Sequence, residues 1–168
     1  MEDIKKQLDE AYDLATKKKD YDKAFAICNT VIQAHPSPPD GLRKRAAIYA
    51  YKGDLDLAIG DMTKAIEQEP GEPSDHFFRG WWHLDKGDAA RAVKDLTKAL
   101  ELGKEKNNNY HDQSAHFFRA AALLRLKRYD EALADCQHVQ DDFLIYIKSG
   151  KISKADIVRD ATAGKAKK

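Results

Sequence analysis

Long apolar runs are missing from this sequence. No stretch approaches the ~20 residues that cross a bilayer, so no membrane segment is expected. The opening residues Met1-Glu2-Asp3-Ile4-Lys5-Lys6 lack the apolar segment of a secretory signal, and a cytoplasmic location is expected. Net charge is nearly missing too. Lys and Arg number 29 against 28 Asp and Glu, which leaves +1 and no overall field to draw in nucleic acid or an anionic membrane. Cysteine is scarce. Cys28 and Cys136 are expected on different helices, as buried free thiols in a reducing compartment.

Catalytic constellations are missing as well. There is no phosphate loop, no Cys-x-x-Cys and no His-Glu-x-x-His, and serines and carboxylates are scattered without a base partner. His76 and His83 can share one helical face, but both sit where packing residues recur, so packing rather than metal binding is expected. His111 and His116 share no face. The expectation is therefore no enzyme, no cofactor, no metal and no small-molecule substrate.

What is present is repetition. Lys86-Gly87-Asp88-Ala89-Ala90-Arg91-Ala92-Val93-Lys94-Asp95-Leu96-Thr97-Lys98-Ala99-Leu100 has a near-copy 34 residues upstream, from Lys52-Gly53-Asp54 to Lys64-Ala65-Ile66. Lys19-Asp20-Tyr21-Asp22-Lys23-Ala24 is a fainter copy another 34 residues back. Arg128-Tyr129-Asp130-Glu131-Ala132 follows after 40. A fixed period of this size marks a repeat array in which each unit covers its neighbours.

Each repeat reads as two helices around a turn. Leu8, Ala11, Tyr12 and Ala15 recur at helical spacing, Lys19-Asp20 turns, and Ala24, Cys28 and Val31 follow. Leu42, Ala46 and Tyr49 precede Gly53-Asp54, then Ala58, Met62 and Ala65. Pro73-Ser74-Asp75 starts the third helix pair. Pro36 and Pro70 close repeats, because proline cannot continue a helix. From Leu102 to Asn109 the chain carries six extra residues rich in Asn and Gly, and a longer exposed loop is expected there. After Gln140 the pattern ends. Phe143-Leu144-Ile145-Tyr146-Ile147 reads as a short helix or helix extension stopped by Ser149-Gly150. Ser153-Lys154-Ala155-Asp156 reads as the capped start of a last helix through Val158. Residues 141–162 are expected to cap the array and 163–168 to form a basic tail.

At these residues the chain resembles the tetratricopeptide repeat family. The small residue where paired helices cross is Ala46, Gly80 and Ala120. Ala followed by an apolar residue four on is Ala24/Cys28, Ala58/Met62, Ala92/Leu96 and Ala132/Cys136. The resemblance implies an all-α, right-handed solenoid of four helix-turn-helix repeats, at about 5–38, 39–72, 73–112 and 113–140. Arg45, Arg79 and Arg119 each precede an Asp by 16 residues, Asp61, Asp95 and Asp135, and the first repeat lacks both partners. Joint presence and joint loss point to pairing within each repeat; simple solvation of both groups is the alternative.

The resemblance also implies a concave groove lined by the first helices. Leu14, Ile48, Trp82 and Ala122 are equivalent and always apolar, so Trp82 is expected inside. Positions that vary between repeats are expected to face the groove: Asp9, Arg43, Phe77 and Phe117; Asp13, Ala47, Trp81 and Ala121; Lys17, Tyr51, Asp85 and Arg125. With Lys44 they give a candidate groove of Arg43, Lys44, Ala47, Tyr51, Phe77, Trp81, Phe117 and Arg125. The alternative is that Phe77, Trp81 and Phe117 pack on each other or on the C-terminal cap. Some family members clamp an acidic peptide C-terminus, but Asp9, Asp13, Lys44, Ser74 and Phe78 do not supply that clamp. The resemblance thus implies a non-enzymatic protein-interaction module holding a partner's peptide or helix. The alternative is a nucleic-acid-associated protein using Lys148, Lys151, Lys154, Arg159 and Lys165 to Lys168, which the near-zero charge disfavours. The pattern sets no oligomeric state.

Overall fold

A computed structural model of the chain describes residues 2–147 and 150–167. The elements run α1 (Glu2–Lys17), α2 (Tyr21–Ala34), α3 (Asp40–Lys52), α4 (Leu55–Gln68), α5 (Pro73–Asp85), α6 (Ala89–Glu105), α7 (Asp112–Arg125), α8 (Tyr129–Cys136), β1 (Leu144–Ile147), β2 (Gly150–Ser153) and α9 (Lys154–Lys165). The all-α arrangement of consecutive helix pairs matches the expectation. The chain divides into two compact units, residues 1–75 and 76–168, with the division falling inside α5.

The turn between paired helices is the same device four times. Lys19, Gly53, Gly87 and Lys127 all take positive φ, at 59°, 97°, 89° and 59°. This left-handed residue ends the first helix. Glycine adopts it freely at two of the turns. Asp20 and Asp88 then cap the second helix by accepting from the Lys23 and Arg91 amides at 3.2 and 3.0 Å.

In the first unit α1 packs on α2 and α3 on α4. Leu8, Ala11, Leu14 and Ala15 bury against Ala24, Cys28 and Val31 of α2 and Ile48 of α3. In the second unit Leu84, Ala92, Leu96 and Ala99 share one cluster with Phe117, Phe118, Ala120, Cys136 and Ile157. Gly80 lets α5 lie close on α6, since a Cβ there would stand 2.9 Å from Cγ of Leu96. The expected loop from Leu102 is shorter than its composition suggests. α6 continues to Glu105, and Lys106–His111 make the turn with Asn107 at φ 52°.

The expected helix at Phe143–Ile147 is not formed. The segment is instead β1, antiparallel to β2, with Leu144 opposite Ser153 and Ile145 opposite Ile152. Three of the four residues of Leu-Ile-Tyr-Ile are β-branched or aromatic, the types that favour a strand. Phe143, Ile145 and Ile152 pack on the second unit's core, whereas Leu144 is 38% exposed. Ser149 of the expected stop lies outside the described residues, and Gly150 opens β2. The Ser153–Asp156 capping box is present, and α9 runs beyond Val158 to Lys165.

Candidate functional site

The first-helix positions behave in two ways. The set Asp9, Arg43, Phe77 and Phe117 does not line an open groove. Each member reaches forward instead, the first three to the following first helix and Phe117 to Phe143 beyond α8. Asp9 accepts from Nζ of Lys44 at 2.9 Å. Arg43 donates through Nε to Asp75 at 2.9 and 3.0 Å, and its Nη groups bond Glu69 at 2.8 Å and Asp40 at 3.2 Å. Phe77 is 4% exposed and lies between Phe118 and His111, its ring stacked on His111 at 4.2 Å. Phe117 is fully buried and meets Phe143 at 4.9 Å, with centroids as the measure. Phe77 and Phe117 are therefore core residues, a correction to the groove assignment. The position varies because its partner varies, from ion pairs in the first unit to aromatic contacts in the second.

The other sets keep solvent-facing members. In the first unit Tyr51 is 46% exposed, its hydroxyl donates to the Thr16 carbonyl at 3.2 Å, and Nζ of Lys19 sits 4.1 Å above its ring. Lys44 lies 5.3 Å over the half-exposed Tyr12 ring, Ala47 is half-buried, and Asp13 pairs with Lys17. In the second unit Trp81 is 38% exposed and stacks on buried Phe118 at 5.3 Å and 18°. Trp82 points inward, 5% exposed, against Phe78. Ala121 is buried. Arg125 donates from Nη1 to the Leu84 carbonyl at 2.6 Å, closing the C-terminal end of α5 with a group from α7. Asp85 is exposed, and among the described residues no cation pairs with it.

Each repeat-internal Arg faces its own Asp through two bonds: Arg45–Asp61 at 2.6 and 2.8 Å, Arg79–Asp95 at 2.7 Å twice, and Arg119–Asp135 at 2.8 and 2.6 Å. Paired forks of this kind suit a planar, half-buried guanidinium and a buried carboxylate. Sequence reasoning missed a third arm. Arg45 also bonds Asn29 at 2.5 Å and Arg119 bonds Thr97 at 3.1 Å, each on the second helix of the preceding repeat. Asn29 and Thr97 occupy equivalent positions, a signal visible in an internal alignment.

Burial would raise the Asp135 carboxyl, but bonds from Arg119 and from His116 at 2.8 Å outweigh it and hold it below the usual range. Asp95 is likewise held low against its burial. There the Arg79 fork at 2.7 Å dominates, since Nδ1 of His76 stands 3.8 Å away. Burial lowers the affinity of His83 for a proton. Burial also pushes the Cys28 thiol up to about 11, so it stays protonated and unreactive at neutral pH. Among the described residues no group of three or more His, Cys, Asp and Glu could hold a metal ion, and no helix is long and apolar enough to cross a membrane.

Comparison with solved structures finds the same fold. A crystal structure of MamA protein superposes with a TM-score of 0.78 at 19% identity, covering 99% of this chain and 85% of that one. The first tetratricopeptide domain of Spaghetti (RPAP3), bound to the HSP90 peptide SRMEEVD, gives 0.61 at 23% identity over 76% and 93%. The TPR2B domain of yeast Sti1, in complex with pHsp70, gives 0.61 at 24% identity over 69% and 95%. A search of curated sequences finds no match. The tetratricopeptide repeat family profile matches residues 43–105 and 79–142. With that profile spanning more than half of the sequence, the chain belongs to the tetratricopeptide repeat family.

Proposed function

We propose that this chain is a non-enzymatic protein-interaction module that holds a peptide or helix of a partner protein on the solvent-facing sides of its first helices. In this reading the repeats occupy about 5–38, 39–72, 73–112 and 113–140, and 141–162 closes the last of them. The observation that carries the proposal is Trp81. An indole 38% exposed on a helix, held flat by a buried Phe118, is costly to leave in water and is the residue type that anchors interfaces. Tyr51 is the corresponding exposed aromatic of the first unit, and Arg43, Lys44, Ala47 and Arg125 border these faces. Two structural neighbours were solved with partner-derived peptides, which supports the same use here.

The mode differs from that of an acidic-tail clamp. Arg43 and Lys44 are engaged by Asp75, Glu69, Asp40 and Asp9. A carboxylate-rich peptide such as SRMEEVD would have to displace those pairs. The basic C-terminal segment gives little support to nucleic-acid binding. Lys154 bonds Asp141 and the Val139 carbonyl, Arg159 pairs with Asp156 and Asp160, and Lys165 pairs with Asp130. Lys148 and Lys168 lie outside the described residues.

The test is capture of a partner by pull-down and mass spectrometry, followed by titration. Trp81→Ala should lose about 2 kcal/mol or more of partner affinity while melting near the parent temperature. Unchanged affinity would overturn the proposal.

A further inference from the structure

We propose that Trp81 and Asp85 together form a docking point for an arginine side chain of the partner peptide. The inference rests on the groove reading above and specifies the chemistry of its occupant. Trp81 lies nearly parallel to Phe118, so the Phe118 ring supports one side of the indole and part of the indole still meets solvent. Asp85 is one helical turn further along α5, on the same face, and is exposed.

What sets this place apart is charge. Every arginine of the second unit already bonds an oxygen of its own chain. Arg79 and Arg119 hold Asp95 and Asp135, Arg91 holds Asp88, and Arg125 holds the Leu84 carbonyl. Arg128 holds Glu131, and Arg159 holds Asp156 and Asp160. Asp85 is left as a carboxylate beside an open indole with no cation paired to it among the described residues. A guanidinium satisfies both groups at once: its plane stacks on the ring and its N–H edge reaches the carboxylate. An ammonium gains the charge attraction without the stacked plane. A carboxylate is repelled by Asp85 and by the electron-rich ring face alike.

The test uses the full chain and four blocked pentapeptides, acetyl-Ala-Leu-X-Leu-Ala-amide, with X as arginine, lysine, citrulline or glutamate. The Trp81 indole N–H resonance, assigned by its loss in Trp81→Phe, reports binding. The arginine peptide should bind most tightly, on the order of tenfold better than its neutral isostere citrulline, with lysine between and glutamate weakest. Asp85→Asn should bring the arginine peptide to the level of the citrulline one while leaving the melting temperature unchanged. Equal binding of the arginine, citrulline and glutamate peptides, no response of Trp81 to any of them, or an arginine peptide indifferent to Asp85→Asn would each overturn the inference. The two failures are separable. If a captured partner still depends on Trp81 while the peptides do not bind, only the arginine assignment falls. If the captured partner ignores Trp81→Ala, the groove reading itself falls.

Discussion

A buried carboxylate is stable only with its counter-charge, and the Arg–Asp forks at Asp95 and Asp135 set how single residues respond to acid. Asp95 and Asp135 are held below their unfolded-state values, so their contribution is complete above about pH 4 and is lost as pH falls through the folded value. His83 works from the other side. Its folded-state proton affinity is lowered by burial, so its neutral form stabilises the fold above about pH 6.5, and stability falls as pH drops below that. An acid titration followed by circular dichroism should show an early loss beginning below about pH 6.5 and a later one below about 4, and His83→Gln should remove only the early phase. Apolar single residues have a plainer ledger. Trp82→Ala and Phe117→Ala should each cost roughly 3–5 kcal/mol through lost burial and a cavity. Denaturant melts check this, and Phe117→Ala melting like the parent would contradict its place in the core.

Elements in this chain are closed off by the ones that follow them. α7 presents Phe117 at the position where Phe77 of α5 meets the next first helix, and the β1–β2 hairpin answers with Phe143. α9 adds Ile157 to the cluster that holds Phe117, and its Ala161 is likewise inaccessible. In the proposed reading the hairpin and α9 do for the last helix pair what a further repeat would otherwise do. Deleting residues 141–168 should uncover Phe117 and lower the melting temperature, with self-association as the companion outcome. Calorimetry and light scattering read both. A truncated chain that stays monomeric and melts with the parent would show that the segment covers nothing of consequence.

At the scale of the whole molecule, two compact units each carry their own buried cluster. Leu8→Ala should therefore speed amide exchange first within residues 1–75, and Leu96→Ala first within 76–168, as hydrogen-exchange mass spectrometry would record; uniform loosening in both variants would refute this. The helices, the turns, the Arg–Asp forks and the inward Trp82 were legible in the sequence, because four aligned copies expose which positions stay fixed. The hairpin was not, since Phe143–Ile147 has no second copy and a five-residue apolar run carries no decisive period. Phe77 and Phe117 were misread for a different reason: variation was taken as contact with a ligand, and here it is contact with a neighbour. That succession of Asp9 to Lys44, Arg43 to Asp75, Phe77 to Phe118 and Phe117 to Phe143 also bears on how such a gene can lengthen. A tandem duplication of the third repeat would bring Phe77 against a second Phe78, ring to ring, and should be accepted. Duplicating the second would set Arg43 opposite Gly41 in place of Asp75, leaving it only Glu69 and Asp40, so copying should cost more at that place than at the other.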